Sequence, residues 1–210
     1  MSDEICQLFE DKSLVSRIKV KLPQLFQLAE LESSRAGKVG MEVGSVREKI
    51  VSALLIYKFS EENVETELPI TEAEVDVKVF GNPISIKTIT GKNLSGVKLI
   101  WTVDTQKALE FSSKYIPCCD MILVQINWDN VGGFYYISKE IQNKTLKLIG
   151  REKYIKLPKQ GTNPRGVEIG VEAMRQLISN PDTLKIPIDW KRKTINFKPF
   201  ERWVELWQKG

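Results

Sequence analysis

The sequence predicts an α/β fold in which a mixed central β-sheet is flanked by helices. Apolar and polar residues alternate with a period of two over 72–80 and again over 84–88, as is typical of half-buried strands. The stretch 121–128 is nearly all apolar, as expected of a central strand that is buried on both faces. Segments with helical apolar spacing precede and follow these strands. This order of elements indicates helices packed on a sheet.

The N-terminal part of the chain is predicted to be helical. Apolar residues recur with helical spacing over 13–35, although Pro23 is expected to interrupt that helix. A glycine-rich loop follows over 37–44. Ser45 and Glu48 have the spacing of a capping box, which predicts that a second helix begins there.

The two alternating segments are predicted to pair as a β-hairpin. Gly81-Asn82-Pro83 lies between them and has the residue types of a turn. Because side chains alternate between the faces of a strand, Asp76 lies opposite the neighbouring valines, and Lys87 lies opposite the neighbouring isoleucines. The hairpin therefore sets Asp76 and Lys87 on one polar face.

The rest of the chain continues the alternation of helices and strands. Three further strands are predicted at 97–101, 121–128 and 133–137, and three further helices at 105–114, 166–179 and 199–208.

The length of 210 residues suits a single domain with a full-sized core. We expect an N-terminal helical part over 1–60, a sheet core over about 60–140 and a basic C-terminal part over about 140–210. No apolar run approaches the roughly 18 residues of a membrane span, so a membrane is not an expected partner. An odd count of three cysteines without metal-ligand spacing predicts reduced thiols and a cytoplasmic protein.

The chain contains no histidine, which narrows the chemistry it can perform. This absence excludes Ser-His and Cys-His nucleophile pairs, zinc sites with histidine ligands and a histidine general base. Catalysis would have to use carboxylates, lysine, hydroxyl groups and a hard metal ion.

Positive charge is concentrated in the C-terminal third of the chain. Seven basic residues and one acid lie between Asn143 and Arg165, so this segment has a net charge of +6, whereas the whole chain has +4. Residues 191–193 form a second basic cluster. Such patches indicate an anionic polymer as a partner. The alternative interpretation is a solvated, lysine-rich surface.

An acid and a lysine on adjacent strands are what a metal-dependent phosphodiesterase needs, but a second acid is missing from the hairpin. The position two residues before Lys87 is Ser85. A magnesium site usually requires at least one or two carboxylates. Glu48, in the first turn of the second predicted helix, is the strongest candidate for the missing acid. Glu72 and Glu74 are closer in sequence.

These candidates also have simpler interpretations. Glu48 fits the last position of a capping box and could cap its own helix. Asp76 and Lys87 could form a cross-strand ion pair on a solvated hairpin, which contributes less than about 1 kcal/mol. The residues alone leave both possibilities open.

A second group of acids matches the nuclease signature PD…(D/E)xK, but we interpret this match as accidental. It consists of Pro181-Asp182 and Asp189-Trp190-Lys191. Its two acids are only seven positions apart, and Pro187 lies between them where a strand would need its amide. Asp182 is expected to open a turn after Asn180.

Three segments carry a resemblance to a known family. They read Gly-Met-Glu-Val-Gly-Ser-Val-Arg-Glu over 40–48, Glu-Val-Asp-Val-Lys over 74–78 and Ile-Ser-Ile-Lys-Thr over 84–88. In this pattern the chain resembles type II restriction endonucleases of the PD-(D/E)xK nuclease superfamily, and the likeness runs along the whole chain. The resemblance implies a restriction-endonuclease-like core and a homodimer. It further implies that double-stranded DNA is cut at the centre of the palindrome CGCG, leaving blunt ends.

The resemblance also implies the active-site residues. Glu48, Asp76 and Lys87 would be catalytic, with Glu48 replacing the acid that is missing at Ser85. Glu48, Asp76 and the backbone carbonyl of Ile86 would hold one Mg²⁺.

Five residues are candidates for contacts to DNA. The resemblance implies that Met41 intercalates between base pairs from the minor-groove side, although a methionine in such a loop more often fills a gap. Arg35 and Lys38 are near it and could contact phosphates. Asn163 and Arg165 offer donors for guanine edges, but Asn163 could instead form a turn before the following helix.

Two other functions remain open from the sequence. One is a repair or junction-resolving nuclease with the same chemistry but little sequence preference. The other is a DNA-binding protein without catalysis, in which Asp76 and Lys87 form a surface ion pair.

Overall fold

The computed structural model describes residues 3–35, 38–40, 42–69, 74–158 and 166–209. The helices within these residues are α1 (Asp3–Glu10), α2 (Lys12–Glu32), α3 (Val43–Phe59), α4 (Thr105–Lys114), α5 (Lys139–Ile149), α6 (Arg151–Tyr154), α7 (Val171–Ser179) and α8 (Glu201–Gln208). The strands are β1 (Ser34–Arg35), β2 (Lys38–Val39), β3 (Val64–Glu65), β4 (Val77–Val79), β5 (Asn82–Thr90), β6 (Val97–Ile100), β7 (Asp120–Ile126), β8 (Val131–Ile137), β9 (Ile155–Lys156), β10 (Val167–Ile169) and β11 (Leu184–Asp189). No helix among these residues is long and apolar enough to span a bilayer.

The central sheet has six strands in the order β11-β8-β7-β5-β4-β3. It is mixed, because β5 and β7 run parallel while the other neighbours are antiparallel. The predicted mixed sheet is therefore confirmed. The strand predicted at 97–101 is confirmed as β6, but it lies in a separate three-stranded sheet with β10 and β9.

Helices cover both faces of the central sheet, as the sequence predicts. One face packs on α1, α2 and α3 and includes Val77, Ile84 and Ile86. The other face packs on α4, α5, α7 and the three-stranded sheet, and it includes Leu123 and Tyr135. Burial of each such side chain stabilises the fold by about 1.5–3 kcal/mol. β7 contributes to both cores, which confirms that it is a central strand.

The hairpin formed by β4 and β5 is confirmed, but its turn lies earlier than predicted. Val79 pairs with Asn82, so the loop consists of Phe80 and Gly81 alone. Their φ angles of 49° and 75° are both positive, as in the type I′ turn that matches strand twist. Pro83 is consequently a strand residue.

Two predictions about helix starts and breaks are wrong. α2 continues through Pro23, which is buried together with Leu22 and Phe26, and this burial offsets a helix penalty of about 3 kcal/mol. α3 begins at Val43, before the predicted capping box. Ser45 is therefore inside the helix, where its backbone is not that of an N-cap residue.

The C-terminal part contains several elements that the sequence did not predict. The helix predicted over 166–179 divides into β10 and α7, and α5 was not predicted at all. β11 is a strand although it contains Pro187, because it is an edge strand and proline is tolerated there. The predicted turn at Asp182 is confirmed, since its amide donates to Asn180 Oδ1 at 2.9 Å.

The remaining helix predictions agree with the structure. α4 covers the predicted range, and the side chain of Asp104 caps it by accepting from two backbone amides. α8 is also confirmed, but none of its residues is buried, and its apolar side chains are exposed.

Candidate active site

The hairpin positions Asp76 at the point where β4 begins. The amide of Asp76 donates to the Ile84 carbonyl at 3.0 Å, so the residue is held against β5 although regular strand pairing begins at Val77. The backbone of Asp76 is therefore aligned with the sheet, and its side chain lies on the polar face that the sequence predicts.

One oxygen of Asp76 collects three hydrogen bonds from consecutive residues of β5. Asp76 Oδ2 accepts from the Ile86 amide at 2.6 Å, from Lys87 Nζ at 2.9 Å and from Ser85 Oγ at 3.2 Å. Within the described part of the chain, Oδ1 accepts none. The three donors fix the orientation of the carboxylate and leave its second oxygen for another ligand.

Ser85 has a role that the sequence did not suggest. The residue occupies the position where the nuclease signature would have an acid, and it is only 4% exposed. Its hydroxyl donates to Asp76. A second carboxylate at this position would instead repel Asp76. The serine does not supply a carboxylate ligand, but its hydroxyl helps to hold Asp76 in place.

Lys87 forms an ion pair with Asp76 in a half-buried setting. The Lys87 and Asp76 side chains are 16% and 25% exposed, respectively. The partial exclusion of water strengthens this interaction relative to one on a solvated hairpin. The cross-strand ion pair of the simpler interpretation is present, but its setting is half-buried rather than solvated.

Glu48 reaches this pair from α3, which packs against β5. Burial raises the pKa of the Glu48 carboxyl above its ordinary value, the Asp76 carboxylate raises it further, and the Lys87 ammonium lowers it. These influences require the three charged groups to be near one another. Glu48 does not cap α3, because that helix begins five residues earlier.

The backbone carbonyl of Ile86 points to the same place. The amide and the carbonyl of one strand residue are directed towards the same neighbouring strand. Since the Ile86 amide donates to Asp76, the carbonyl also faces this side, beyond the last regular pair between Val77 and Ile84. The Ile86 carbonyl therefore lies on a part of the β5 edge that does not pair with β4.

The donor set at this site fits a hard divalent cation. It comprises the carboxylates of Glu48 and Asp76 and the carbonyl of Ile86, all oxygen ligands of the kind that Mg²⁺ prefers. The positive charge of a bound cation would offset both the cost of burying the Glu48 carboxylate and its repulsion from Asp76, which raise the pKa of Glu48. These residues can therefore hold Mg²⁺ beside the Lys87 ammonium.

Of the two alternative acids, Glu72 and Glu74, the structure describes only Glu74. Glu72 lies outside the described residues. Glu74 is within electrostatic range of Asp76 and Lys87, but its carboxylate is hydrogen bonded to Tyr115. It lies beside the active-site pair rather than across from it on α3.

A buried ionic network supports the helix that carries Glu48, and the sequence contained no signal for it. Glu30 on α2 pairs through Oε1 with Arg47 at 2.6 Å and accepts from Trp128 Nε1 at 2.9 Å. Its Oε2 pairs with Arg192 at 2.9 Å. Arg47, which precedes Glu48, also donates to Thr90 Oγ1 at the end of β5. This network ties α3 to α2, to β5 and to the segment after β11.

The accidental signature match lies elsewhere in the fold. Asp189 is at the end of β11, three strand spacings from β5, or about 14 Å. It pairs with Lys191 at 2.7 Å on an exposed surface. Asp182 is in the exposed turn before β11. The structure does not bring these residues together with Asp76.

The candidate DNA-contacting residues are only partly described. Lys38 is exposed on β2, and its backbone pairs with that of Arg35 on β1, ahead of α3. Met41, Asn163 and Arg165 lie outside the described residues.

Comparison with known proteins links this geometry to one family. The family model described as "Restriction endonuclease ThaI" matches residues 8–209. A solved structure titled "Restriction endonuclease in complex with substrate DNA" is 58% identical to the chain, with a TM-score of 0.93. The alignment covers 99% of this chain and 100% of that one. No curated protein matches the chain. The likeness to the solved structure confirms the predicted fold class.

Proposed function

The chain belongs to the ThaI restriction endonuclease family, and we propose that it is a Mg²⁺-dependent type II site-specific deoxyribonuclease. Its substrate is double-stranded DNA containing CGCG, and it hydrolyses the phosphodiester at CG/CG to leave blunt ends. The observation that supports this proposal best is the convergence of Asp76, Lys87 and Glu48 beside the open carbonyl of Ile86. As part of a restriction system, the enzyme would act in the cytoplasm as a single nuclease domain.

Glu48, Asp76 and the Ile86 carbonyl are the residues that would hold Mg²⁺. When bound, the ion polarises the scissile phosphate and lowers the pKa of an attacking water. Asp76 is oriented for this task by the amide of Ile86 and the hydroxyl of Ser85. Glu48 contributes its carboxylate from α3, whose position the Glu30 network maintains.

We assign to Lys87 the stabilisation of charge during hydrolysis. Its ammonium lies 2.9 Å from Asp76 Oδ2, next to the proposed metal ligands. From there it can orient the attacking water and offset the negative charge that develops on the phosphate. The chain has no histidine, and Lys87 is the cation that lies directly beside Asp76.

A palindromic target favours a homodimer, because a two-fold protein matches a two-fold DNA site and each copy can cut one strand. In this proposal Arg35 and Lys38 contact phosphates, Met41 intercalates into the CG steps, and Asn163 and Arg165 contact base edges. The solved relative, which is in complex with substrate DNA, supports a role of this fold in binding DNA.

Digestion of a plasmid of known sequence tests this function. With Mg²⁺ the purified protein is expected to yield a defined set of fragments with blunt ends at CG/CG, and with EDTA it should yield none. Sequencing of the fragment ends gives the cleavage position. Smearing or nicking confined to branched DNA would reject the restriction function in favour of a repair nuclease. Failure to cut with any divalent metal would indicate a binding protein.

Replacement of Lys87 by methionine is expected to lower the rate of cleavage by about 10²–10³-fold, because one charge-stabilising group is lost. The length of the side chain is conserved, so DNA binding in Ca²⁺ should change little. Single-turnover cleavage measures the rate, and a binding titration measures the affinity. Lys19→Met on the exposed face of α2 is the control and should cleave like the wild type. An unchanged rate in Lys87→Met would remove Lys87 from the mechanism.

A further inference from the structure

A second cluster of potential metal ligands lies next to the proposed magnesium site. It consists of Glu74, which precedes β4, and of Cys118 and Cys119, which precede β7. One carboxylate oxygen and the two sulfur atoms all lie within 4.8 Å of one another. All three cysteines of the chain are in its described part, and none forms a disulfide. The two thiols are therefore available as ligands.

The members of this cluster already interact with one another. Cys119 Sγ donates to the backbone carbonyl of Glu74 at 3.9 Å. Burial and, to a smaller extent, the adjacent Cys118 raise the pKa of the Glu74 carboxyl to about 7, although a hydrogen bond from Tyr115 acts against them. A hydrogen bond with Cys118, together with burial, raises the pKa of Cys119. The fold thus already brings the three potential ligands close to one another.

A buried hydroxyl beside the cluster has no hydrogen-bond partner among the described residues. Tyr154 is fully buried, and no described residue forms a hydrogen bond with its hydroxyl. Its ring stacks on Tyr115, and the charges of Glu74 and Cys119 contribute to raising its pKa. A buried polar group without a partner costs about 1–3 kcal/mol, which indicates that another species satisfies it.

The cluster is accessible from solvent. Glu74 and Cys118 line a surface cavity of about 510 Å³, together with Tyr115, Lys107 and Lys114. Cys118 is exposed, whereas Cys119 is buried. An ion could therefore enter from solvent on the side of Cys118 and be held by Cys119 on the side of the protein interior.

We propose that Glu74, Cys118 and Cys119 form a second metal site, which takes a thiolate-binding divalent cation such as Zn²⁺. Thiolate ligands select Zn²⁺ and similar soft cations, while the all-oxygen site of Glu48 and Asp76 suits Mg²⁺. Three protein ligands leave a fourth tetrahedral position for water. A water at that position would offer a hydrogen-bond partner to the Tyr154 hydroxyl, which has none within the described part of the chain.

Binding at this site releases protons but involves no redox step. Each of Cys118 and Cys119 loses its thiol proton to solvent, and the sulfur electron pair forms the bond to the cation. Two thiolates and one carboxylate carry three negative charges, which the cation reduces to one. The Lys87 ammonium, which interacts with both Glu74 and Cys119, offsets this remaining charge.

Titration of the metal-free protein with Cd²⁺ tests the site, since thiolate–cadmium bonds absorb in the ultraviolet. The wild type is expected to show this absorption with a stoichiometry of one Cd²⁺ per chain, confirmed by equilibrium dialysis. Cys118→Ser should abolish the stoichiometric signal. Glu74→Gln should weaken binding at least about tenfold. Because Cys118 is exposed, its replacement should not disturb folding, and circular dichroism verifies this.

Two control variants separate the proposed site from other ligands. Cys6→Ser removes the cysteine on α1 and should leave the signal unchanged. Asp76→Ala removes a proposed magnesium ligand and should also retain the signal, so the test does not depend on nuclease activity. Absence of a stoichiometric signal in the wild type, or its loss in Cys6→Ser with retention in Cys118→Ser, would overturn the proposal.

Discussion

The Asp76→Asn variant is expected to cleave DNA at least about 100-fold more slowly than the wild type. Loss of a hydrogen bond to a metal ligand already costs about 10–100-fold, and here the ligand itself loses its charge. The oxygen of asparagine can replace Oδ2 as the acceptor from Ile86, Lys87 and Ser85, but the amide nitrogen then occupies the Oδ1 position, where it cannot bind a cation. Single-turnover cleavage of a short CGCG duplex in Mg²⁺ measures this effect.

Asp189→Asn is the matched control for this variant. It makes the same chemical change in the accidental signature match, where Asp189 pairs with Lys191 on an exposed surface. We expect its cleavage rate to equal that of the wild type. Loss of cleavage in Asp189→Asn with retention in Asp76→Asn would place the active site on β11 and reject the hairpin site.

A binding measurement shows whether Asp76 acts in catalysis. Binding of the duplex can be measured without cleavage in two conditions. Ca²⁺ can replace Mg²⁺, because it occupies oxygen sites with looser geometry, and EDTA removes divalent cations altogether. Asp76→Asn should bind the duplex in EDTA as well as the wild type does. If binding in EDTA were lost together with cleavage, the residue would serve DNA recognition or folding instead.

The Glu30→Ala variant is expected to lower the free energy of unfolding by about 3–5 kcal/mol, which is the usual cost of removing one partner of a buried ion pair. Glu30 is 5% exposed and Arg47 is 6% exposed, so truncation leaves the guanidinium buried without its counter-ion. Arg47 Nε already has no partner among the described residues. Trp128 and Arg192 would lose their acceptor as well.

Urea unfolding monitored by tryptophan fluorescence measures this loss. Glu32→Ala, at the exposed end of the same helix, is the control and should change the unfolding free energy by no more than about 0.5 kcal/mol. The double variant Glu30→Ala with Arg47→Met should be more stable than Glu30→Ala alone, because no unpaired charge remains buried. Equal effects of Glu30→Ala and Glu32→Ala would show that the network contributes nothing.

Local patterns were sufficient for the elements whose signals lie within a few residues. The alternation around Asp76 and Lys87 predicted the hairpin because a strand with one covered face requires that period. The helix at 105–114 was predictable for the same reason, from its own spacing. The turn at Phe80 was misplaced, because Gly-Asn-Pro has turn chemistry and a non-glycine residue with positive φ carries no sequence signal.

Predictions failed where tertiary packing outweighs a local preference. Pro23 lies inside a helix because that helix is covered by the core, and Pro187 lies in a strand because that strand is at an edge. Neither burial nor edge position can be read from neighbouring residues. Ser45 and Glu48 have the spacing of a capping box, yet α3 begins at Val43, so this apparent capping box lies inside the helix.

The sequence by itself determined the mixed α/β class, the exclusion of histidine chemistry and the position of Asp76 and Lys87 on one face of a hairpin, because each depends on composition or on a short period. Only the tertiary structure decided that Glu48 approaches this pair, that Ser85 supports Asp76, and that Glu74 meets Cys119 across 45 positions of the chain. These contacts follow from the order of strands in the sheet and from the packing of α3 on β5. Contacts between residues far apart in the sequence depend on the burial of many side chains at once. Each of these side chains contributes little free energy by itself, and none of them can be recognised from its neighbours in the sequence.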